Sequence, residues 1–187
     1  MKSVYVCTGF GECGILQLVE TTDYNGTGRW SSQAIQERYL AYARSLKVSP
    51  LFDLTPRTSK DGQRRWIYPL MNEVIKGIEA GDKACAQIGV DFIEEDEFFP
   101  FGMILKVNTA RALRRADLTP DQIERVRKRV VEMLIEGNTP REYRQYAKLL
   151  RKVGLGDWWP VIEKQAPCLP SYALRHFNYF KQHIRPK

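Results

Sequence analysis

Leu118–Gly154 reads LTPDQIERVRKRVVEMLIEGNTPREYRQYAKLLRKVG, and this stretch decides the fold class. Thr119 is a helix-capping residue, and Pro120 stands where the first helical N–H has no partner anyway. Gln122 completes a capping box, and Leu118 and Ile123 flank it at the spacing of a hydrophobic staple. Gly137 then stops the helix, because glycine turns left-handed at little cost. The same grammar repeats at once, with Thr139 as cap, Pro140, Glu142 closing the box and Gly154 as the stop. The stretch therefore predicts a helical hairpin. Ile123, Val126, Val130 and Leu134 stripe its first helix, and Tyr143, Tyr146, Ala147, Leu150 and Val153 stripe the second.

Outward from the hairpin, further helices follow from the same signals. Ser31 or Ser32 caps a helix over about 33–46, with Ile35, Tyr39, Tyr42, Ala43 and Leu46 on one face. Pro69 opens a helix to Glu79 that Gly81 stops, and Asp82 caps the next, through about Glu94. The break before the following helix, about 102–116, is expected near Asp96. That helix is expected to show Lys106, Arg111, Arg114 and Arg115 to solvent. After the hairpin, Asp157 is expected to cap a short helix, Trp158 to about Gln165. The tail from Ser171 is amphipathic enough for one more over 171–182.

Short links make sequential helices antiparallel neighbours. The expected fold class is thus mainly α, with about seven helices in antiparallel pairs forming a short helical-repeat-like array or a compact orthogonal bundle. No internal repeat at a fixed period supports a particular repeat family. Three regions are expected: 1–65, a strand, loop and helix region packed on or linked to the body; 66–166, the helical-hairpin body; and 167–187, a basic aromatic tail. Residues 21–28 read as a turn-rich loop. The connection 48–63 is read as a boundary, a mobile surface loop, or part of a short hairpin pairing Leu51–Leu54 with Arg65–Tyr68.

Composition excludes several classes. An apolar fraction of 43% and a charged fraction of 27% are those of a folded globular protein. No run approaches the roughly 18 apolar residues of a membrane helix. The N-terminus is not a convincing signal peptide. The four cysteines, Cys7, Cys13, Cys85 and Cys168, form no CxxC pair, and both histidines lie in the tail, so zinc-finger grammar is absent. A cytoplasmic location with reduced thiols is expected.

Three patterns raise the question of chemistry. Gly9-Phe10-Gly11-Glu12-Cys13-Gly14 is a literal GxGxxG after a strand-like Ser3–Thr8, the order of a dinucleotide fingerprint. The second parallel strand and its acidic residue do not follow, so the glycines are read as a turn and a nucleotide-dependent enzyme is the least favoured alternative. Asp91, Glu94 and Glu95 share a helical face within the five carboxylates of 91–97. With no histidine on a neighbouring helix they are read as a helix end or as the internal partner of the basic hairpin, and no metal is expected. No nucleophile, base and orienting group can be assembled. No catalytic residue and no cofactor are expected.

The charge itself is the remaining signal. The net charge is +7, but residues 1–103 hold eleven Lys/Arg against fourteen Asp/Glu, and residues 104–187 hold eighteen against eight. The candidate binding residues are Arg111, Arg114, Arg115, Arg125, Arg127, Lys128, Arg129, Arg141, Arg144, Lys148, Arg151 and Lys152, with Tyr172, Arg175, Tyr179 and Lys181 in the tail. The ordinary alternative is a solvated helix face. The expected function is a non-catalytic helical interaction module that binds a protein partner or a second copy of itself. Trp158, Trp159 or the tail would supply an apolar patch beside the cations. Nucleic acid is the alternative partner for the same surface, and no membrane is expected.

Overall fold

The computed structural model describes residues 19–98 and 100–184. The GxGxxG at 9–14, the strand-like 3–8, and Cys7 and Cys13 lie outside the described residues. Within them the chain is mainly α. Eight helices are present: α1 Ser32–Ser45, α2 Met71–Glu79, α3 Lys83–Glu95, α4 Gly102–Leu113, α5 Pro120–Ile135, α6 Tyr143–Val153, α7 Trp159–Gln165 and α8 Ser171–His183. Three short strands, β1 Glu20–Asp23, β2 Thr58–Asp61 and β3 Arg64–Ile67, form one small sheet in the order β1-β3-β2.

The caps explain most helix starts. Ser31 Oγ accepts from the Ala34 N–H, and Asp82 Oδ1 accepts from the Cys85 N–H at 2.9 Å. The Thr119–Gln122 box forms in both directions. Gly137, with φ 72°, ends α5 in the left-handed turn that its sequence position requires.

The second box does not form. Thr139 Oγ1 has no partner, α6 begins at Tyr143, and Glu142 sits at its N-cap with no side-chain bond. Tertiary seating sets this start instead. Tyr143 is fully buried and its hydroxyl donates to the Val130 carbonyl at 2.8 Å. Asp157 likewise lies in a 3-10 turn, Gly156–Trp158, and does not cap α7.

The sheet corrects two further expectations. β2 pairs antiparallel with β3 through Asp61↔Arg64 around the Gly62–Gln63 turn, so the hairpin uses Thr58–Asp61 in place of Leu51–Leu54. Leu54 is needed elsewhere, being buried in the core with its carbonyl accepting from Gln36 Nε2. Residues 21–23, expected as the start of a loop, belong to β1, which pairs parallel with β3 in the register Thr22↔Trp66. Asn25 then ties the exit of β1 to the start of α2: its Oδ1 accepts from the Leu70 N–H at 2.7 Å.

One core runs through the described residues. Trp30, Ile35, Tyr39 and Ala43 from the α1 region join apolar residues of α2 to α8 as far as Phe180. Each of α2, α3 and α4 contacts the next helix but one as well as at least one sequence neighbour, and α6 contacts α8. α1 rests on α3. That contact is polar as well as apolar. The Tyr39 hydroxyl donates to Asp82 Oδ2 at 2.6 Å and accepts from the Phe52 N–H, and burial together with the Asp82 bond pushes Tyr39 up to about 12.

Candidate interaction surface

The acidic end of α3 is a neutralised interior feature. Asp91 is 2% exposed and accepts from the Tyr42 hydroxyl at 2.6 Å. Arg125 Nη2 reaches it at 2.8 Å, Arg38 at 3.4 Å and Arg29 at 3.7 Å. Arg125 also pairs with Glu94, and Arg29 with Glu95 at 2.8 Å. The Trp30 indole N–H donates to Glu95 at 2.9 Å, and the Arg38 guanidinium lies 4.3 Å from the Trp30 ring centre. Burial, then Arg29, pulls Arg38 below the ordinary arginine range. Burial pulls Arg125 the same way, but its bonds to Glu94 and Asp91 outweigh that and hold it charged.

A second buried pair lies at the α3–α4 corner. Lys106 is buried, not solvent-facing as the spacing suggested. Its Nζ lies 2.6 Å from Asp96 Oδ1 and donates to the Asp96 carbonyl at 2.9 Å. Asp96 sits at φ 50° and Phe101 at φ 62°, both left-handed and not glycine. A charge at 106 inside the fold is tolerable because the acidic corner meets it.

The hairpin cations divide by helix. On α5, Arg125 and Arg129 turn toward the carboxylates, Arg129 lying 3.6 Å from Asp96. Arg127 donates to the Gly154 carbonyl at 2.9 Å and to that of Val153. It thereby satisfies carbonyls that every helix C-terminus leaves open. A β-carbon at Gly156 would stand 3.0 Å from the Arg127 guanidinium, so the bare backbone there makes room for it. Lys128 alone among the α5 candidates is exposed without an ion pair among the described residues. On α4, Arg115 pairs with Glu79 at 3.5 Å across an exposed gap, while Arg111 and Arg114 form no ion pair among the described residues.

α6 is different. Arg144, Lys148, Arg151 and Lys152 recur along its outer side with none of them in an ion pair among the described residues, and Arg141 precedes them in the turn. Residues 143–156 and 164–187 contain no Asp or Glu at all. α6 packs on α8, so two acid-free helices adjoin. On α8, Tyr172, Arg175 and Lys181 are exposed, and Tyr179 is half-buried against Phe180 and His183. The tryptophans expected to form an apolar patch are spent internally. Trp159 is buried and stacked on Phe177, and Trp158 donates to Glu124.

Sequence reasoning missed Arg29, Arg38 and Tyr42 as partners of the acidic run. The available signal was the run itself, five carboxylates at a helix C-terminus, where the macrodipole disfavours them and cations must collect. Among the described residues no cluster of His, Cys, Asp and Glu is arranged to hold a metal ion. No helix among them is long and apolar enough to cross a membrane.

Comparison of the chain with protein-family models, with curated proteins and with solved structures gives no match, so the reading of this surface rests on its own geometry and charge.

Proposed function

We propose that this chain is a non-catalytic helical interaction module that holds an anionic macromolecule on the face formed by α6 and α8. The observation that carries the reading is the contrast between the two hairpin helices. The arginines of α5 are consumed by Asp91, Glu94, Asp96 and the α6 carbonyls. Arg144, Lys148, Arg151 and Lys152 of α6 form no ion pair among the described residues, and neither α6 nor the adjoining α8 carries an Asp or Glu. Desolvating several such cations is worthwhile only against an anion of matching extent. An acidic protein, a second copy of the chain and a nucleic acid all satisfy that requirement.

The scaffold suits the task. Helices contacting their neighbours one and two places along are the pattern of stacked hairpins, and we read α2 to α6 as a short array of this kind. We read the module as belonging to a reducing compartment such as the cytoplasm, a reading that the free thiols Cys85 and Cys168 among the described residues support.

Retention on immobilised heparin and on immobilised polyglutamate tests the reading. The wild-type chain is expected to bind at 50 mM salt, and the variant R144E/K148E/R151E/K152E to pass through. A wild-type chain retained by neither support removes the proposal.

A further inference from the structure

We infer that the anion held on this face is the sugar-phosphate backbone of a nucleic acid, bound without regard to base sequence. The inference rests on the proposal that the α6–α8 face binds an anion, and it goes further by choosing among the partners that proposal admits.

The choice follows from what surrounds the cations. A protein–protein interface needs a desolvated centre of aromatic or aliphatic anchors, with lysine depleted there. α6 shows no exposed large apolar side chain, and α8 shows Tyr172 alone. The exposed apolar residues lie elsewhere, chiefly Phe98, Phe101, Met103 and Ile104 at the α3–α4 corner. A phosphate backbone needs no such centre. It needs cations and neutral donors in a row, with arginine, lysine, amides and tyrosine as the usual contacts. Gln145 on α6 and Tyr172, Asn178 and Gln182 on α8 supply neutral donors on the same two helices as the cations, and each is at least partly exposed.

The dimensions agree. Arg144 to Lys152 spans about 12 Å of helix at about 1.5 Å per residue. Duplex DNA carries a charge about every 1.7 Å along its axis with both strands counted, so that length of duplex holds roughly seven phosphates around its circumference, of which one side meets the helix. Four exposed or half-buried α6 cations, with exposed Arg175 and Lys181 on the adjoining α8, offer up to six phosphate contacts.

Fluorescence anisotropy on the full chain tests the inference, using a random-sequence 25-base-pair duplex, a length-matched single strand and labelled polyglutamate. Nucleic-acid binding is expected to fall by about 10²–10³ between 50 and 200 mM salt, as four to six phosphate contacts require. The variant R144E/K148E/R151E/K152E is expected to lose at least 100-fold. The variant R44E/K60E/K83E, which reverses exposed charges elsewhere, is expected to lose far less. Thermal melting of both variants confirms that each folds. Equal losses in the two variants overturn the inference, because net charge and not this face would then bind. Binding to polyglutamate but to neither nucleic acid overturns it while leaving the anion-face proposal standing. Binding to none of the three removes both.

Discussion

Gly77 of α2 lies so close to Cys85 of α3 that a β-carbon on it would stand 2.3 Å from the Cys85 Sγ and 2.9 Å from its Cβ. Gly89 of α3 is comparably tight, 2.6 Å from the Ile78 side chain. The α2–α3 contact is thus a mutual approach that only bare backbone allows. Gly77→Ala is expected to destabilise the fold by about 1–3 kcal/mol through overpacking, despite a gain of up to about 1 kcal/mol in helix propensity. Chemical denaturation of G77A measures this. The double variant G77A/C85A is expected to recover part of the loss, since the nearest atom is gone and the Cβ contact remains.

Asp91 is buried among three arginines and a tyrosine hydroxyl. Removing it leaves those cations facing one another in a half-buried site. Asp91→Ala is expected to cost about 3–5 kcal/mol, and Tyr42→Phe, which removes one bond to a charged acceptor, about 1.5–3 kcal/mol. Urea unfolding midpoints check both. An A91 protein as stable as wild type would mean that the cluster contributes nothing to holding α1 and α5 on α3.

His176 is buried edge-on against Tyr143, and its Nε2 accepts from Arg175 Nε at 3.1 Å. Burial, then the Arg175 charge, lowers its pKa from 6.5 to about 4. A base depressed on folding binds fewer protons in the native state. Its contribution is therefore complete above the unfolded value and is lost as pH falls from 6.5 toward about 4. The size is on the order of 3 kcal/mol. Melting temperatures of wild type and His176→Phe between pH 4 and 7.5 test this. The wild type is expected to fall more steeply than the variant across that window, and parallel curves would rule out His176 as the source.

The two threonines of the hairpin make a matched pair. Thr119 Oγ1 accepts from the Gln122 N–H, whereas Thr139 Oγ1 is buried with no partner. Thr119→Ala is expected to cost about 1 kcal/mol. Thr139→Ala is expected to be neutral or slightly stabilising, since it deletes an unsatisfied polar atom. Equal losses on denaturation would contradict the assigned start of α6.

The helices were legible because their signals are local. Ser31, Asp82 and Thr119 cap where the sequence puts them, and Gly81, Gly137 and Gly154 stop where expected. What needed the structure was long-range. The parallel pairing of Glu20–Asp23 with Arg64–Ile67 leaves no mark in either segment, because its register depends on a partner some forty residues away. The apolar stripe of α5 was readable, but not the direction of the arginines beside it. A long side chain flanking a buried stripe reaches water or a neighbouring carboxylate equally well, and only the placement of α3 decides. The same reach hid Lys106, whose position on α4 said nothing of Asp96. The cations of α6 were the simpler case, since residues 143–156 hold no Asp or Glu and none of Arg144, Lys148, Arg151 and Lys152 forms an ion pair among the described residues.

Folding the carboxylates of 91–96 against arginine and lysine, while leaving α6 and α8 unanswered, gives the molecule an electrical polarity that its modest net charge understates. The far field of such a body exerts a torque. On the proposed reading, an approaching anion within the screening distance of about 8 Å would turn the α6 side toward itself before any contact is made. If the proposal holds, productive collisions would be enriched over random ones, and ionic strength would act on the speed of capture more than on the lifetime of the captured state.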